Sequence, residues 1–106
     1  MAPVTDKSWD GSASRWPSAI SYCASCLIDT NDGTKSKTNC SLPVREPTGE
    51  INRNAAHAAA AALAGARGAS FPADQKKAAA RALIKIYQQD LNETAPDSLV
   101  SVANGE

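Results

Sequence analysis

The stretch Lys37-Thr-Asn-Cys-Ser-Leu-Pro-Val-Arg-Glu-Pro-Thr-Gly-Glu-Ile-Asn52 runs directly into an alanine-rich segment, Ala55 to Ala66, and the two together decide the fold. Pro43 and Pro47 remove backbone donors and hold the residues before them in extended conformations. Alanine, by contrast, is the strongest helix former. The sequence therefore predicts an irregular, proline-ordered extended arm that leads into a helix.

Three helices follow from the spacing of apolar residues. Asn52 is an N-cap candidate, so a helix is predicted over residues 53–66. A second is predicted over 72–91, and a short one over 17–28. Their apolar faces consist of Ala80, Leu83, Ile84, Tyr87 and Leu91 in the second and of Ile20, Cys23, Ala24 and Leu27 in the short one. The predicted fold class is mainly α, with helices 53–66 and 72–91 packed as a hairpin around a loop at Gly68.

Length and polarity predict one small domain with two loose ends. The chain has 106 residues. Residues 1–8 are polar and are expected to form a mobile N-terminal arm, residues 9–91 a single small helical domain, and residues 92–106 a C-terminal tail. A core built mainly of alanine buries little area, so we expect marginal stability unless a partner adds to it.

The charge balance argues against nucleic acid as the main partner. The chain has 11 basic and 11 acidic residues, so the electrostatic attraction that dominates non-specific DNA binding is weak. The best basic cluster lies on the second predicted helix and consists of Lys76, Lys77, Arg81 and Lys85. We interpret it as a solvated helix face, and a small nucleic-acid-binding accessory protein is the alternative.

Membrane contact and secretion are not expected. No apolar run approaches the roughly 20 residues that cross a bilayer. Residues 1–7 also lack the basic and apolar regions of a secretory signal. We therefore expect a cytoplasmic protein in a compartment that keeps its three cysteines reduced.

The cysteines leave three interpretations open. Cys23, Cys26, Cys40 and His57 could form a Cys3His zinc site, although Cys40 and His57 are too widely separated for a typical ligand pair. A disulfide could join Cys40 to Cys23 or to Cys26. Buried, unpaired thiols are the interpretation we favour, because cysteine packs as a small apolar residue. We accordingly predict no metal and no cofactor.

Catalysis is not expected either. His57 is the only imidazole, and no nucleophile turn surrounds a serine or cysteine. The glycines form neither phosphate-binding pattern, GxxxxGK[ST] or GxGxxG. The sequence therefore predicts a non-enzymatic protein.

The rare aromatic residues are the best candidates for partner binding. Trp9 and Trp16 flank a Gly/Ser turn and either fill the thin core or anchor the chain in a neighbour. Arg15 lies beside them. Arg45 and Glu46, between two prolines, form a preset extended segment that binds at low entropic cost. These five residues form the predicted partner-binding set.

Three short segments carry a resemblance to a known family. Trp9-Asp-Gly-Ser-Ala-Ser-Arg-Trp16, Cys26-Leu-Ile-Asp29 and the arm 37–52 resemble a small domain of tailed-bacteriophage head genes, found alone or appended to prohead proteases and capsid-related proteins. The resemblance implies a head-associated accessory or decoration protein that binds a capsid or other head protein, in repeated copies on the particle. It implies localisation in the host cytoplasm during assembly and then in the virion. A zinc-stabilised adaptor and an inhibitor of a host protein are further alternatives.

Overall fold

A computed structural model describes residues 3–31, 33–65 and 72–105. Four α-helices and four short strands occur in these ranges. In chain order they are β1 (Val4–Thr5), α1 (Ala19–Ser25), β2 (Cys26–Asp29), β3 (Cys40–Pro43), β4 (Ile51–Asn52), α2 (Arg53–Leu63), α3 (Ala73–Ile86) and α4 (Asp97–Ala103). Short 3-10 turns occur at Ala13–Arg15 and Lys37–Asn39, and a π-helical turn at Tyr87–Leu91 continues α3.

The strands form two sheets of two strands each. β1 pairs in parallel with β4, with Val4 opposite Ile51. β2 pairs with β3 in antiparallel register, with Cys26 opposite Pro43 and Asp29 opposite Cys40. An isolated antiparallel bridge joins Arg45 to Ile51. Pro43 therefore lies in a strand of a small two-stranded sheet, a position compatible with its missing N–H.

Two apolar clusters hold the chain together. The larger one combines the buried faces of α2, α3 and α4 with residues of the strands. Its alanines allow α2 and α3 to pack against each other, as predicted. Its largest fully buried side chains are Ile51, Leu63, Leu83 and Leu99. The smaller one, called here the aromatic cluster, consists of Trp16, Tyr22, Cys23 and Cys40, with Trp9, Ala13 and Cys26 at its edge.

The predicted mainly α fold class is wrong, because the described residues form a mixture of helices and small sheets. The helix expected over 17–28 covers only Ala19–Ser25, and Cys26–Asp29 is a strand instead. Ser18 starts this helix through a reciprocal capping interaction with Ser21. The pairing of β2 with β3 then outweighs the helical spacing of the apolar residues. Ile20, expected on the buried face, is 70% exposed.

The two long helices follow the prediction more closely. Asn52 caps α2, since its side-chain oxygen accepts a hydrogen bond from the Ala55 N–H at 3.0 Å. α2 ends at Leu63, and Gly65 adopts a φ of 98° that suits glycine. The predicted helix 53–66 is therefore too long at Ala64 and Gly65, whereas residue 66 and the loop at Gly68 lie outside the described residues. α3 and its π-helical turn span 73–91 and bury most of the predicted face.

Both expected loose ends contribute to the core. Val4 of the predicted arm 1–8 pairs with Ile51 and packs against the larger cluster. The predicted tail 92–106 contains α4, which packs against α3 and buries Leu99 completely. Pro96 precedes the first turn of α4, where its fixed φ and missing N–H are well tolerated. The helical domain therefore extends beyond residue 91.

Candidate partner-binding site

Arg15 is the centre of the candidate site. Its guanidinium carbon lies 5.6 Å from the ring centroids of both Trp9 and Trp16, a cation–π distance. Its Nη2 donates to Glu46 Oε2 at 2.6 Å, and its Nη1 donates to the Asp10 carbonyl. The arginine therefore joins both tryptophans to the arm that carries Glu46. Four of the five predicted partner-binding residues meet at this point.

The two tryptophans have different roles. Trp16 is 2% exposed, and its indole N–H donates to Ser25 Oγ at 3.1 Å. It makes edge-to-face contacts with Tyr22 and Trp9, at centroid distances of 5.1 and 6.2 Å. Trp9 is only partly buried and packs at the edge of the aromatic cluster. Trp16 thus fills the core, and Trp9 has surface left to offer a partner.

Glu46 is a buried anchor. The residue is 5% exposed, and its second oxygen accepts from Asn52 Nδ2 at 3.3 Å. Asn52 is fully buried, and the same Nδ2 lies 3.1 Å from the Lys7 carbonyl. Because a buried charge must be paired, this network holds Arg15 in place. The sequence predicts Asn52 only as a helix cap, because its second hydrogen-bonding role has no sequence signal.

Arg45 does not join this site. Its guanidinium donates to the Gly49 carbonyl at 3.3 Å. This contact lies within the turn between the bridged residues Arg45 and Ile51. That turn is closed by the Gly49 N–H, which donates to the Glu46 carbonyl at 2.8 Å. Gly49 has a φ of 105°, so glycine is favoured there. Arg45 therefore stabilises the turn that presents Glu46.

Two surface concavities flank the tryptophan–arginine pair. The first, called here the alanine groove, has a volume of about 200 Å³. It is lined by Trp9, Gly11, Leu42, Pro43 and, from α2, Ala55, Ala58, Ala59 and Ala62. The second, called here the basic cavity, has a volume of about 430 Å³ and is lined by Lys7, Arg15, Glu46, Pro47 and Thr48. Trp9 lines the first concavity and Arg15 the second, and these two side chains contact each other.

Leu42 adds backbone strain to the wall of the alanine groove. Its φ is 63°, in the left-handed region that non-glycine residues rarely adopt. Such a residue costs about 1–3 kcal/mol, and strained residues cluster at binding sites. The hydrogen bonds between the Val44 N–H and the Ser25 carbonyl at 2.9 Å, and between the Asn52 N–H and the Val44 carbonyl at 2.9 Å, hold the chain just after it.

The basic residues proposed for nucleic acid all lie on α3 but do not form a uniform surface. Arg81 and Lys85 are exposed, whereas Lys76 and Lys77 are half-buried. Lys76 and Lys77 line a concavity of about 240 Å³ that also includes Asp74, Val102 and Gly105. Asp74 places a negative charge beside them, which weakens attraction to phosphates.

The four residues of the Cys3His hypothesis do not meet. A disulfide joins Cys23 to Cys40, so the favoured prediction of unpaired thiols is wrong for these two residues. It links α1 to β3 within the aromatic cluster. Cys26 is a free, half-buried thiol, and burial raises its pKa to about 11. Its proton therefore stays bound at neutral pH, and the thiol is a weak nucleophile.

His57 lies in a separate ionic cluster at the start of α2. Its Nε2 is 3.0 Å from Glu93 Oε1, and its ring stacks on Tyr87 at 5.8 Å. Arg53 pairs with Glu93 and, at 2.6 Å, with Asp6. Burial alone would raise the pKa of Glu93, but its hydrogen bonds to His57 and Arg53 lower it instead. The cluster ties the N-terminal segment and the segment between α3 and α4 to the start of α2.

Comparison with known proteins adds no relative. The chain matches no protein-family model, no curated protein and no solved structure. The resemblance to a bacteriophage head domain therefore stays a prediction. Within the described residues, none of the helices has both the length and the apolar character needed to cross a bilayer.

Proposed function

We propose that the chain is a non-enzymatic accessory protein of bacteriophage heads that binds a capsid or other head protein through Trp9. One observation carries this proposal: Arg15, anchored on buried Glu46, holds the half-exposed Trp9 ring against the alanine groove. A rigid, partly exposed tryptophan beside an apolar concavity is the typical arrangement of an interface hot spot. The resemblance supplies the biological setting.

The two concavities define the chemistry of the partner. The alanine groove has room for an apolar side chain, because alanines of α2 line it together with Trp9, Leu42 and Pro43. In the basic cavity Arg15 and Glu46 compensate each other's charge, which leaves the exposed Lys7 ammonium as the net charge of the lining. It favours a carboxylate. The partner segment therefore combines an apolar residue with an acidic one.

Heads isolated from cells that produce the protein provide the test. Bound chain is quantified by mass spectrometry for the unchanged protein, for Trp9→Ala, and for Ile20→Ser as a matched control on an exposed apolar residue of α1. Loss of a hot-spot tryptophan costs about 2 kcal/mol, or roughly 30-fold in affinity. We expect Trp9→Ala to be depleted and Ile20→Ser to be retained. Equal occupancy by all three, or absence of the unchanged chain from heads, would refute the proposal.

A further inference from the structure

Three potential metal ligands lie together, two of them cysteines of the aromatic cluster and the third a carboxylate next to them. The two sulfurs of Cys23 and Cys40 and a carboxylate oxygen of Asp29 are all within 4.8 Å of one another. Asp29 is directly opposite Cys40 in the β2–β3 pairing, so the sheet register fixes this proximity. The sulfurs are bonded to each other in the present state. Reduction of that bond would leave two thiols beside a carboxylate.

We propose that the reduced protein binds one Zn²⁺ through Cys23, Cys40 and Asp29, with water as the fourth ligand. Two sulfur ligands and one oxygen ligand suit zinc, which prefers tetrahedral coordination. The reductant is an external dithiol or phosphine. It supplies two electrons and is itself oxidised, and the two sulfurs take up two protons. Zn²⁺ then displaces both protons as it binds the two thiolates.

The backbone separation is compatible with this exchange. The Cα atoms of Cys23 and Cys40 are 5.4 Å apart. Zn–S bonds of about 2.3 Å in a tetrahedral site place two sulfurs about 3.7 Å apart. With the Cα atoms this close, rotation about the two Cα–Cβ bonds can bring the reduced sulfurs to that separation.

Asn31 already supplies an outer shell for this site. Its side-chain nitrogen lies 3.5 Å from Cys23 Sγ, 3.2 Å from Cys40 Sγ and 2.7 Å from Asp29 Oδ1. Its oxygen accepts from the Ser36 N–H at 2.8 Å, which fixes the orientation of the amide. Lys35 pairs with the other oxygen of Asp29. An amide NH2 has two hydrogens, so Asn31 can donate to two of these acceptors at a time, and such hydrogen bonds orient ligands in metal sites.

The proposed site differs from the ligand set that the sequence suggests. Among the described residues, the group of ligands that includes Cys23 and Cys40 contains neither Cys26 nor His57. Either cross-link, disulfide or zinc, would join α1 to the β2–β3 sheet at the same place. The aromatic cluster would then be cross-linked by the disulfide under oxidising conditions and by zinc under reducing conditions. This inference does not depend on the identity of the binding partner.

Cobalt titration of the full-length, phosphine-reduced protein under anaerobic conditions tests the site. We expect one Co²⁺ per chain, with thiolate-to-cobalt charge-transfer and tetrahedral d–d absorption bands that Zn²⁺ abolishes. Cys40→Ser should lose these bands. Asp29→Asn should weaken binding by about tenfold or more. Cys26→Ser and His57→Gln serve as matched controls and should bind as the unchanged chain does.

Several results would overturn the assignment. They are the absence of cobalt–thiolate bands in the reduced protein, loss of the bands in Cys26→Ser or His57→Gln, and unchanged affinity in Asp29→Asn. Far-UV circular dichroism of each reduced protein shows whether it remains folded. Cys26→Ser removes the third thiol of the chain. If an unfolded chain bound the metal through Cys26, the cobalt–thiolate bands would be lost in this variant.

Discussion

Arg15 and Glu46 should contribute unequally to stability, because their surroundings differ. The Glu46 side chain is 6% exposed and the Arg15 side chain 30% exposed. Arg15→Met leaves a buried carboxylate without its cation, although Asn52 still donates to it. Glu46→Gln leaves an arginine that water can partly solvate. The loss of folding free energy in each variant therefore depends on which charged group is left without its partner and on how well water reaches that group.

The magnitudes follow from this asymmetry. Removing one partner of a buried ion pair costs about 3–5 kcal/mol, because the other charge is left uncompensated. Asn52 still donates to Glu46 in Arg15→Met, so we expect this substitution to lower the free energy of unfolding by about 3 kcal/mol, at the lower end of that range. Loss of a single hydrogen bond to a charged group costs about 1.5–3 kcal/mol, and the lower end applies to Glu46→Gln. Arg15→Met/Glu46→Leu removes both charges, so it should be more stable than Arg15→Met alone.

Urea unfolding, followed by far-UV circular dichroism, gives the free energy of unfolding of the unchanged chain, the two single variants and the double variant. The slope against urea should stay constant, so that midpoint shifts report the free energy of unfolding. If Arg15→Met were no less stable than Glu46→Gln, Glu46 would not be a buried charge that depends on Arg15. The site would then lack the anchor on which the proposed orientation of Trp9 rests.

Three further predictions concern other parts of the chain. Leu99→Ala should lower the free energy of unfolding by about 3 kcal/mol in urea titrations, because Leu99 is the fully buried residue of α4. The hydrogen bond from Lys35 lowers the pKa of Asp29 from 3.8 to about 2. The stability that the Asp29 carboxylate contributes is therefore present above its unfolded pKa and is lost as the pH falls toward 2. The difference in urea midpoint between Asp29→Asn and the unchanged chain should accordingly shrink on acidification. Without reductant, alkylation near neutral pH followed by mass spectrometry should label at most Cys26, and slowly, because burial raises the pKa of this thiol to about 11.

The parts of the fold that depend on local chemistry could be predicted. Capping by Asn52 and the buried face of α3 follow from side chains a few residues apart. The strand over Cys26–Asp29 could not be predicted, because it depends on pairing with a segment that begins at Cys40, beyond a long turn. Helical spacing and a strand partner compete there, and only the tertiary structure decides between them.

The candidate site shows the same limit. The sequence placed Trp9, Arg15 and Trp16 together because they are neighbours in the chain. Glu46 was predicted as a partner contact, but its burial against Arg15 joins residues 31 positions apart. The disulfide partner of Cys40 was equally ambiguous, since spacing alone allows both Cys23 and Cys26. In each case the missing information is a long-range contact.

The aromatic cluster has too few large side chains to fix the position of Trp9 by apolar burial alone. Only Trp16 and Tyr22 in it are both large and buried. The position of Trp9 must therefore be fixed by directional contacts, which are the Cys23–Cys40 cross-link and the Arg15–Glu46 ion pair. Closing a loop over a sequence separation of 17 destabilises the unfolded chain by about 3 kcal/mol, comparable to the full burial of one further leucine. Because Glu46 also bonds to Asn52, the cap of α2, the anchor of Arg15 and the start of the helix whose alanines line the groove belong to one hydrogen-bond network.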